Sequence, residues 1–570
     1  MTLTPNQHKA IAIILFLALT VFLRLGSSEI QPNEEGRNAM FAKSILKNVN
    51  SEYNVNKIVG SYANPKSLFP AWMITAVVFV LGENTFTVRL FSALCSAMAL
   101  VFFYLISRRL LNYSYSIIAL FLLSGTILWN NFARQATSDI PGISFILASL
   151  FFLLKVIEPG EKKEKLVFSI LFSISFIFSM LTNFIASLIP VFFIINLFFD
   201  KDKRKLFNLL VIHTLIAIII SLLFNSIIYL NHNSGFSHFL FNYHTFTEFS
   251  KITFIGLIHN FNQIIINNPV SIFGLYIIIY MIFKRNDYSA NTEHGKYLIK
   301  SFVVWYIIFF ILLFLIPGEH PANMIYFLPV AILLSLRFFE KMQILTGSGR
   351  IKWLIVTILI SFFLWSFIFE LRYEVELLLS GDKQTLFALL YFILIVVSII
   401  AGLLLPEKHL ENYSPIIMNY VVTAISYLLI FKIILLNIAT PSGESFGAAK
   451  TAEVLNATES KSFIYFYHSN NPEDSVNFQL DWYTSGWLSG WKSGKTFIPV
   501  SLPENNINYE NLRIADEYPD LFIVYYTHPN LVIKSAVMKD LILTRSIISK
   551  TNNYIIFGRK NSERLLDKPI

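Results

Sequence analysis

The chain has 570 residues, of which 55% are hydrophobic and only 14% charged, with 55 phenylalanines, a net charge of +9 and a mean hydropathy of +0.58. Soluble domains carry roughly a quarter charged residues, so an ordinary soluble protein is excluded and a polytopic membrane protein is expected. The positive charge does not point to nucleic acid, because Lys and Arg gather in short loops between apolar runs, and the single cysteine, Cys95, rules out an intramolecular disulfide.

Apolar stretches able to cross about 30 Å of hydrocarbon as helices begin at 9–26, which lacks a small-residue cleavage site and reads as a retained helix. They continue at 84–107, 113–130, 139–157, 166–182, 184–199 and 206–230, then at 268–283, 298–316, 323–338, 352–369, 384–405 and 415–438. That predicts about thirteen spans, with a tight turn at Thr182/Asn183 dividing one long apolar stretch.

Basic loops at 107–112, 161–165, 200–205, 283–296 and 348–352 alternate with Lys/Arg-poor loops such as 317–323. The basic set falls on one side if the N-terminus is cytoplasmic. The loops 27–83 and 231–267 and the C-terminal tail then face the exterior of a cell, or inner, membrane. A transmembrane domain over 1–439 is expected to precede an extracytoplasmic α/β domain over 440–570. Within the latter, 447–458 and 532–543 have helical periodicity, whereas 462–468, 520–526 and 553–560 are β-rich.

Four polar clusters on the predicted exterior face carry the candidate chemistry. "NEEGRNAMFAKSIL" (33–46) places Glu34, Glu35 and Arg37 at the start of a short helix suited to the membrane interface. Negative charge is favoured at a helix start in any case, so the carboxylates serve either a helix cap or catalysis. Lys66, in "ANPKSLFPAWM" (63–73), reaches either lipid headgroups or a substrate phosphate at the membrane surface. "WNNFARQATSDIPG" (129–142) sets Arg134 and Asp139 at the mouth of two spans, where ionisable groups are costly unless paired. They either pin the loop as an ion pair or belong to a site. "IPGEHPANMIYFLP" (316–329) offers His320 and Tyr326 as possible substrate contacts, or a Pro/Gly turn with an interfacial tyrosine.

His232, His238 and His244 match no tight metal-ligand spacing, so a divalent metal is not supported and no cofactor is assigned. No phosphate-binding or dinucleotide fingerprint is present. The acid-x-acid triplet at 200–202 lies in a lysine-rich loop and reads as topology.

In order and spacing these motifs resemble the GT-C superfamily of membrane glycosyltransferases, in the branch of protein O-mannosyltransferases and the lipid A aminoarabinose transferase. That branch has an acidic pair before an interfacial helix, matched by Glu34 and Glu35. A Lys-Pro-Pro-type segment follows, matched by "PKSLFPAW" with Ser67 and Leu68 in place of the prolines, and then "TVRLFSAL" (87–94). An "AR…TD-P" element is similar to "FARQATSDIP", and a Pro/Tyr-rich start of a late span is similar to "HPANMIYFLP", with Glu319 where a basic residue is common.

The resemblance implies a polyprenyl-phosphate-linked sugar donor at the outer leaflet, a lipid, glycan or protein acceptor, and inversion at the anomeric carbon. Glu34 would then be the base, with Asp139 and Glu35 beside it. Lys66, Arg37 and Arg134 would hold the donor phosphate. Two other classes stand against this reading. A transporter or flippase of a lipid-linked glycan would place ionisable groups near mid-span. A non-catalytic envelope glycan-binding protein would use Trp482, Trp487 and Trp491 as an aromatic platform.

Overall fold

A computed structural model of the chain describes residues 4–31, 34–46, 69–184, 186–198, 204–230, 293–315, 321–345, 448–457, 462–467, 496–501, 521–525, 546–550 and 554–558. The expected spans at 268–283, 352–369, 384–405 and 415–438, the helix at 532–543, the three histidines, the three tryptophans, Lys66 and His320 lie outside those residues.

The first helix, α1 (Pro5–Phe22), starts at a capping box in which Thr4 accepts from the Gln7 amide and Gln7 answers to the Thr4 amide. It ends about one turn before the apolar run does. Residues 23–28 instead form a turn whose carbonyls face two buried arginines. Within the loop expected over 27–83 lie two helices, α2 (Glu34–Leu46) and the strongly apolar α3 (Phe69–Leu81).

Next come α4 (Thr85–Leu110), capped by Asn84, and α5 (Tyr113–Ser124), capped by Asn112. The single span expected at 113–130 is broken. Gly125 ends α5, and the Thr126 hydroxyl caps a separate short helix, α6 (Ile127–Ala133), by accepting from the Trp129 amide. Both α7 (Asp139–Ile157) and α8 (Lys162–Thr182) fall close to their expected positions. The turn at Asn183 forms as expected, its side-chain oxygen accepting from the Ala186 amide at 3.1 Å. A 3-10 turn at Ala186–Leu188 leads into α9 (Ile189–Phe198), followed by α10 (Arg204–Leu230), α11 (Glu293–Leu315) and α12 (Pro321–Leu345).

The bundle packs around α7, whose neighbours include α4, α8 and α12. Small residues allow α4 and α7 to approach closely. Ala93, Ser96 and Ala99 on α4, and Ser144, Ala148 and Ser149 on α7, are all buried. The Ser144 hydroxyl donates to the Cys95 carbonyl across the interface at 2.8 Å. Trp129 is fully buried, and its indole N–H donates to Ser96 Oγ at 3.1 Å.

Large apolar side chains such as Leu15, Leu19, Phe79, Ile219 and Leu223 point outward, the arrangement a bundle needs in hydrocarbon. Five of the described helices are long and apolar enough to cross a membrane. With the apolar composition, they make this a multi-pass membrane protein.

The C-terminal part contains α13 (Ala448–Ala457) and strands β1 (Ser462–Tyr467), β2 (Thr496–Ser501), β3 (Leu521–Tyr525), β4 (Ser546–Lys550) and β5 (Tyr554–Gly558). They form one mixed sheet in the order β2-β1-β3-β5-β4. β1 runs parallel to β2 and β3, while β5 is antiparallel to β3 and β4. α13 turns Ala448, Thr451, Ala452 and Leu455 inward and packs against β4 and β5. The Glu29 carboxylate accepts from the Ala448 and Ala449 amides at 3.2 and 3.1 Å, so α13 sits on the same face of the bundle as the first loop.

Candidate active site

Two adjacent carboxylates at the start of α2 diverge because successive helical residues point about 100° apart. Glu35 turns into the protein and is 1% exposed. There it meets Arg89, one turn into α4 and itself fully buried. Arg89 Nε donates to one Glu35 oxygen at 2.6 Å and Nη2 to the other at 3.0 Å, the planar fork matching the carboxylate. The remaining Arg89 N–H groups go to the Leu25 carbonyl (3.0 Å), the Ser28 hydroxyl (2.7 Å) and the Glu29 carbonyl (2.7 Å).

Glu35 also accepts from the Gln31 amide at 2.7 Å and from the Ala136 amide at 3.1 Å. A carboxylate with four donors on its two oxygens is a structural hub. It fixes the first loop, the α4 start and the 134–139 loop to one another.

Glu34 is half-buried, and its Oε1 accepts from both the amide and the hydroxyl of Ser138, at 2.8 and 2.6 Å. Ser138 occupies the N-cap position of α7 but its side chain makes no capping bond, being turned to Glu34 instead. Asn38, on the same helix as both glutamates, donates to the Ala136 carbonyl at 2.8 Å. Glu34, Glu35 and Asn38 therefore each grip the 136–138 backbone.

Asp139, 1% exposed, begins α7. Its carboxyl shares a hydrogen bond with the Tyr326 hydroxyl, which lies in the field of Glu34 as well. The same hydroxyl accepts from Asn183 Nδ2 at 3.1 Å. Gly142 makes room for it, since a Cβ there would stand 2.6 Å from the Tyr326 oxygen. Three elements distant in sequence thus meet at one point: the α7 start, the α8 end and the first turns of α12.

Arg134 follows α6 and is buried. Its Nη2 donates to the Leu23 and Arg24 carbonyls at 2.8 and 3.1 Å. Burial, with the charges of Arg89 and Arg24 nearby, pulls its guanidinium down to about 10, still protonated at neutral pH. Arg24 itself has φ +53°, a left-handed conformation uncommon for a residue with a side chain. Its carbonyl also accepts from the Ser27 hydroxyl at 2.7 Å. Arg37 is half-buried on α2, one turn beyond Glu34.

The structure thus brings Glu34, Glu35, Asp139, Arg134 and Tyr326 to one end of the bundle. Arg89, Asn183, Ser138, Asn38 and Gly142 were not named as site residues from the sequence, although Asn183 was placed at the turn after α8 and Arg89 lies within "TVRLFSAL". Arg89 had a signal, being an arginine inside an apolar run, where an ionisable group needs a partner. Asn183 had only its place at the predicted turn, and Gly142 nothing beyond its residue type. Among the described residues no group of three or more His, Cys, Asp or Glu is placed to hold a metal.

The helical bundle and the small sheet domain share their overall fold with solved membrane-protein structures. Residues 65–229 match the family of dolichyl-phosphate-mannose-protein mannosyltransferases. Among solved structures, ArnT from Cupriavidus metallidurans bound to undecaprenyl phosphate is similar, with a TM-score of 0.61 and 13% identity over 96% of this chain and 97% of that one. The apo state of that protein gives a TM-score of 0.59 at 12% identity, with the same coverage. The archaeal oligosaccharyltransferase AglB from Archaeoglobus fulgidus, in complex with an inhibitory peptide and a dolichol-phosphate, gives 0.52 at 9% identity over 97% of this chain and 74% of that one. None of the curated proteins matches the chain.

Proposed function

We propose that this chain is an inverting glycosyltransferase. It would move a sugar from a polyprenyl-phosphate-linked donor to an acceptor hydroxyl or phosphate of a lipid, glycan or protein at the outer membrane face. The observation that carries the reading is the convergence of Glu34, Asp139 and Tyr326 at one helix mouth, built on the Glu35–Arg89 pair.

In this reading the acceptor oxygen attacks the anomeric carbon as the bond from that carbon to the phosphate oxygen breaks. The electron pair leaves with the lipid phosphate, and the acceptor proton passes to a carboxylate within hydrogen-bond reach. Glu34 takes that proton. Its Oε1 is oriented by Ser138 and its side chain is only half-buried, so it can meet a substrate. Asp139, held by Tyr326, orients the acceptor or the base. Glu35 acts as a positioning group, because both its oxygens are spent on Arg89 and on the Gln31 and Ala136 amides. Arg134 positions the turn after α1 through its Nη2 bonds to the Leu23 and Arg24 carbonyls. Charge developing on the phosphate needs cations at the interface, a role we assign to Lys66 and Arg37, with His320 toward the substrate.

Purified chain in lipid, supplied with polyprenyl-phosphate sugars, tests this. Glu34→Gln and Asp139→Asn are each expected to cut transfer by about 100-fold or more while the thermal transition stays near wild type. Transfer at the wild-type rate in both variants refutes the assignment. Mass spectrometry of envelope glycolipids and glycoproteins from a deletion strain would name the sugar and the acceptor.

A further inference from the structure

Glu29 belongs to neither the carboxylate cluster nor the C-terminal domain, yet it touches both. Its backbone carbonyl accepts from Arg89 Nη2 at 2.7 Å, and the same Nη2 donates to Glu35 at 3.0 Å. Its side-chain carboxylate, with one oxygen on each amide, closes over the Ala448 and Ala449 N–H groups at the start of α13. Those amides have no acceptor within their own helix, and the positive end of the helix favours a carboxylate there. The flanking residues are fixed, Ser28 and Ile30 being buried and Ser28 a further Arg89 ligand. α13 is in turn fixed to the β4–β5 edge of the sheet. One residue therefore joins the sheet domain to the arginine that orients Glu35, and Glu35 to the Ala136 amide beside Ser138.

We propose that Glu29 is a positioning residue through which the C-terminal domain holds the 134–139 loop, and hence Glu34 and Asp139, in their working geometry. As a statement about catalysis this rests on the function proposed above. As a statement about coupling it does not, and the test separates the two.

The experiment is peptide-level hydrogen exchange on the full chain in nanodiscs, comparing wild type with Glu29→Ala, Glu29→Asp and Ala448→Pro. Proline is tolerated in the first turn of a helix and removes one of the two donors from the other side of the contact. Glu29→Ala is expected to speed exchange by roughly tenfold, the size of a lost helix cap, in 448–457 and also in 134–139. Glu29→Asp, which keeps the charge on a shorter arm, should restore part of the protection in both segments. Ala448→Pro should loosen 134–139 as well, because coupling between two sites is reciprocal.

Loosening confined to 448–457 would make Glu29 an ordinary helix cap and overturn the proposal, as would unchanged exchange in both segments. In transfer assays Glu29→Ala should lower kcat severalfold with the donor KM unchanged. A wild-type chain without transfer activity would sink the proposed function, and the exchange data would still decide the coupling.

Discussion

Removing the arginine beneath the acidic pair is the most discriminating perturbation of stability. Arg89→Met keeps an unbranched apolar side chain in the bundle but takes away every N–H that Arg89 gives to Glu35 and to the Leu25, Ser28 and Glu29 oxygens. Glu35 then retains only the Gln31 and Ala136 amides, and its charge stays buried without a counter-ion. The carbonyls of Leu25 and Glu29 lose the guanidinium as well. Breaking a buried pair from one side costs about 3–5 kcal/mol, which is a large fraction of any membrane domain's stability.

Glu35→Gln breaks the pair from the other side. It leaves the Arg89 guanidinium buried without its carboxylate and turns an amide NH2 towards N–H donors, so it should likewise cost about 3–5 kcal/mol. The double variant leaves no uncompensated charge. Its destabilisation should therefore fall below the sum of the two singles by at least about 1 kcal/mol. Reversible denaturation in mixed micelles, read as a double-mutant cycle, measures this. Additivity within about 0.5 kcal/mol would refute the pairing as the element that holds the first loop to α4.

Four further outcomes follow from the same contacts. Ser138→Ala deletes the 2.6 Å hydroxyl bond to Glu34 and should lower kcat about tenfold, the value of one hydrogen bond to a charged group, with KM little changed in steady-state transfer kinetics. Gly142→Ala would drive a methyl into the Tyr326 hydroxyl. It should impair transfer, and combining it with Tyr326→Phe should add less than the second lesion does alone. Trp129→Phe loses the indole bond to Ser96 and should cost about 1 kcal/mol in denaturation. At the opposite end of the bundle, burial pushes the Glu158 carboxyl up, but its bonds from Arg109 and Lys155 outweigh that and the net shift is downward. A depressed carboxyl contributes stability above its unfolded value and loses it as the pH falls through the folded one, so Glu158→Gln should flatten that part of the acid limb in a thermal-shift series.

The outline of the fold was legible because hydrocarbon imposes a strong filter. A twenty-residue apolar run can satisfy its backbone in lipid only as a helix, and α7 and α8 fall near where such runs predict. Hydropathy could not see that 113–130 breaks, because Gly125 and Thr126 leave the average unchanged while ending one helix and capping the next. Nor could it see that α1 stops at Phe22, a boundary set by the need for free carbonyls opposite Arg89 and Arg134. In the C-terminal sheet the readable strands were β1, β3 and β5, which occupy the middle. The two unread ones are its edges. β2 carries Pro499, which an edge strand tolerates, and β4 is short and carries an irregularity between Ile547 and Ser549.

At the site, residue type and position found the acidic pair, but only geometry divides the work within it. Consecutive carboxylates at a helix start share a sequence environment, and both could have been caps. The structure gives each a partner distant in sequence. The turn of the helix sends Glu35 down onto Arg89 and Glu34 across to Ser138, and the Ser138 hydroxyl gives up its own capping bond on α7 to meet it. Forgoing such a cap costs α7 about 1 kcal/mol, a local loss where a charged hydrogen bond orients a carboxylate that is still half-exposed. If Glu34 were only a strut for the loop, Glu34→Gln would keep an acceptor for Ser138 and leave transfer largely intact. If it takes a proton, the same substitution removes the chemistry and leaves the loop in place, so hydrogen exchange of 134–139 in Glu34→Gln should match wild type while turnover collapses.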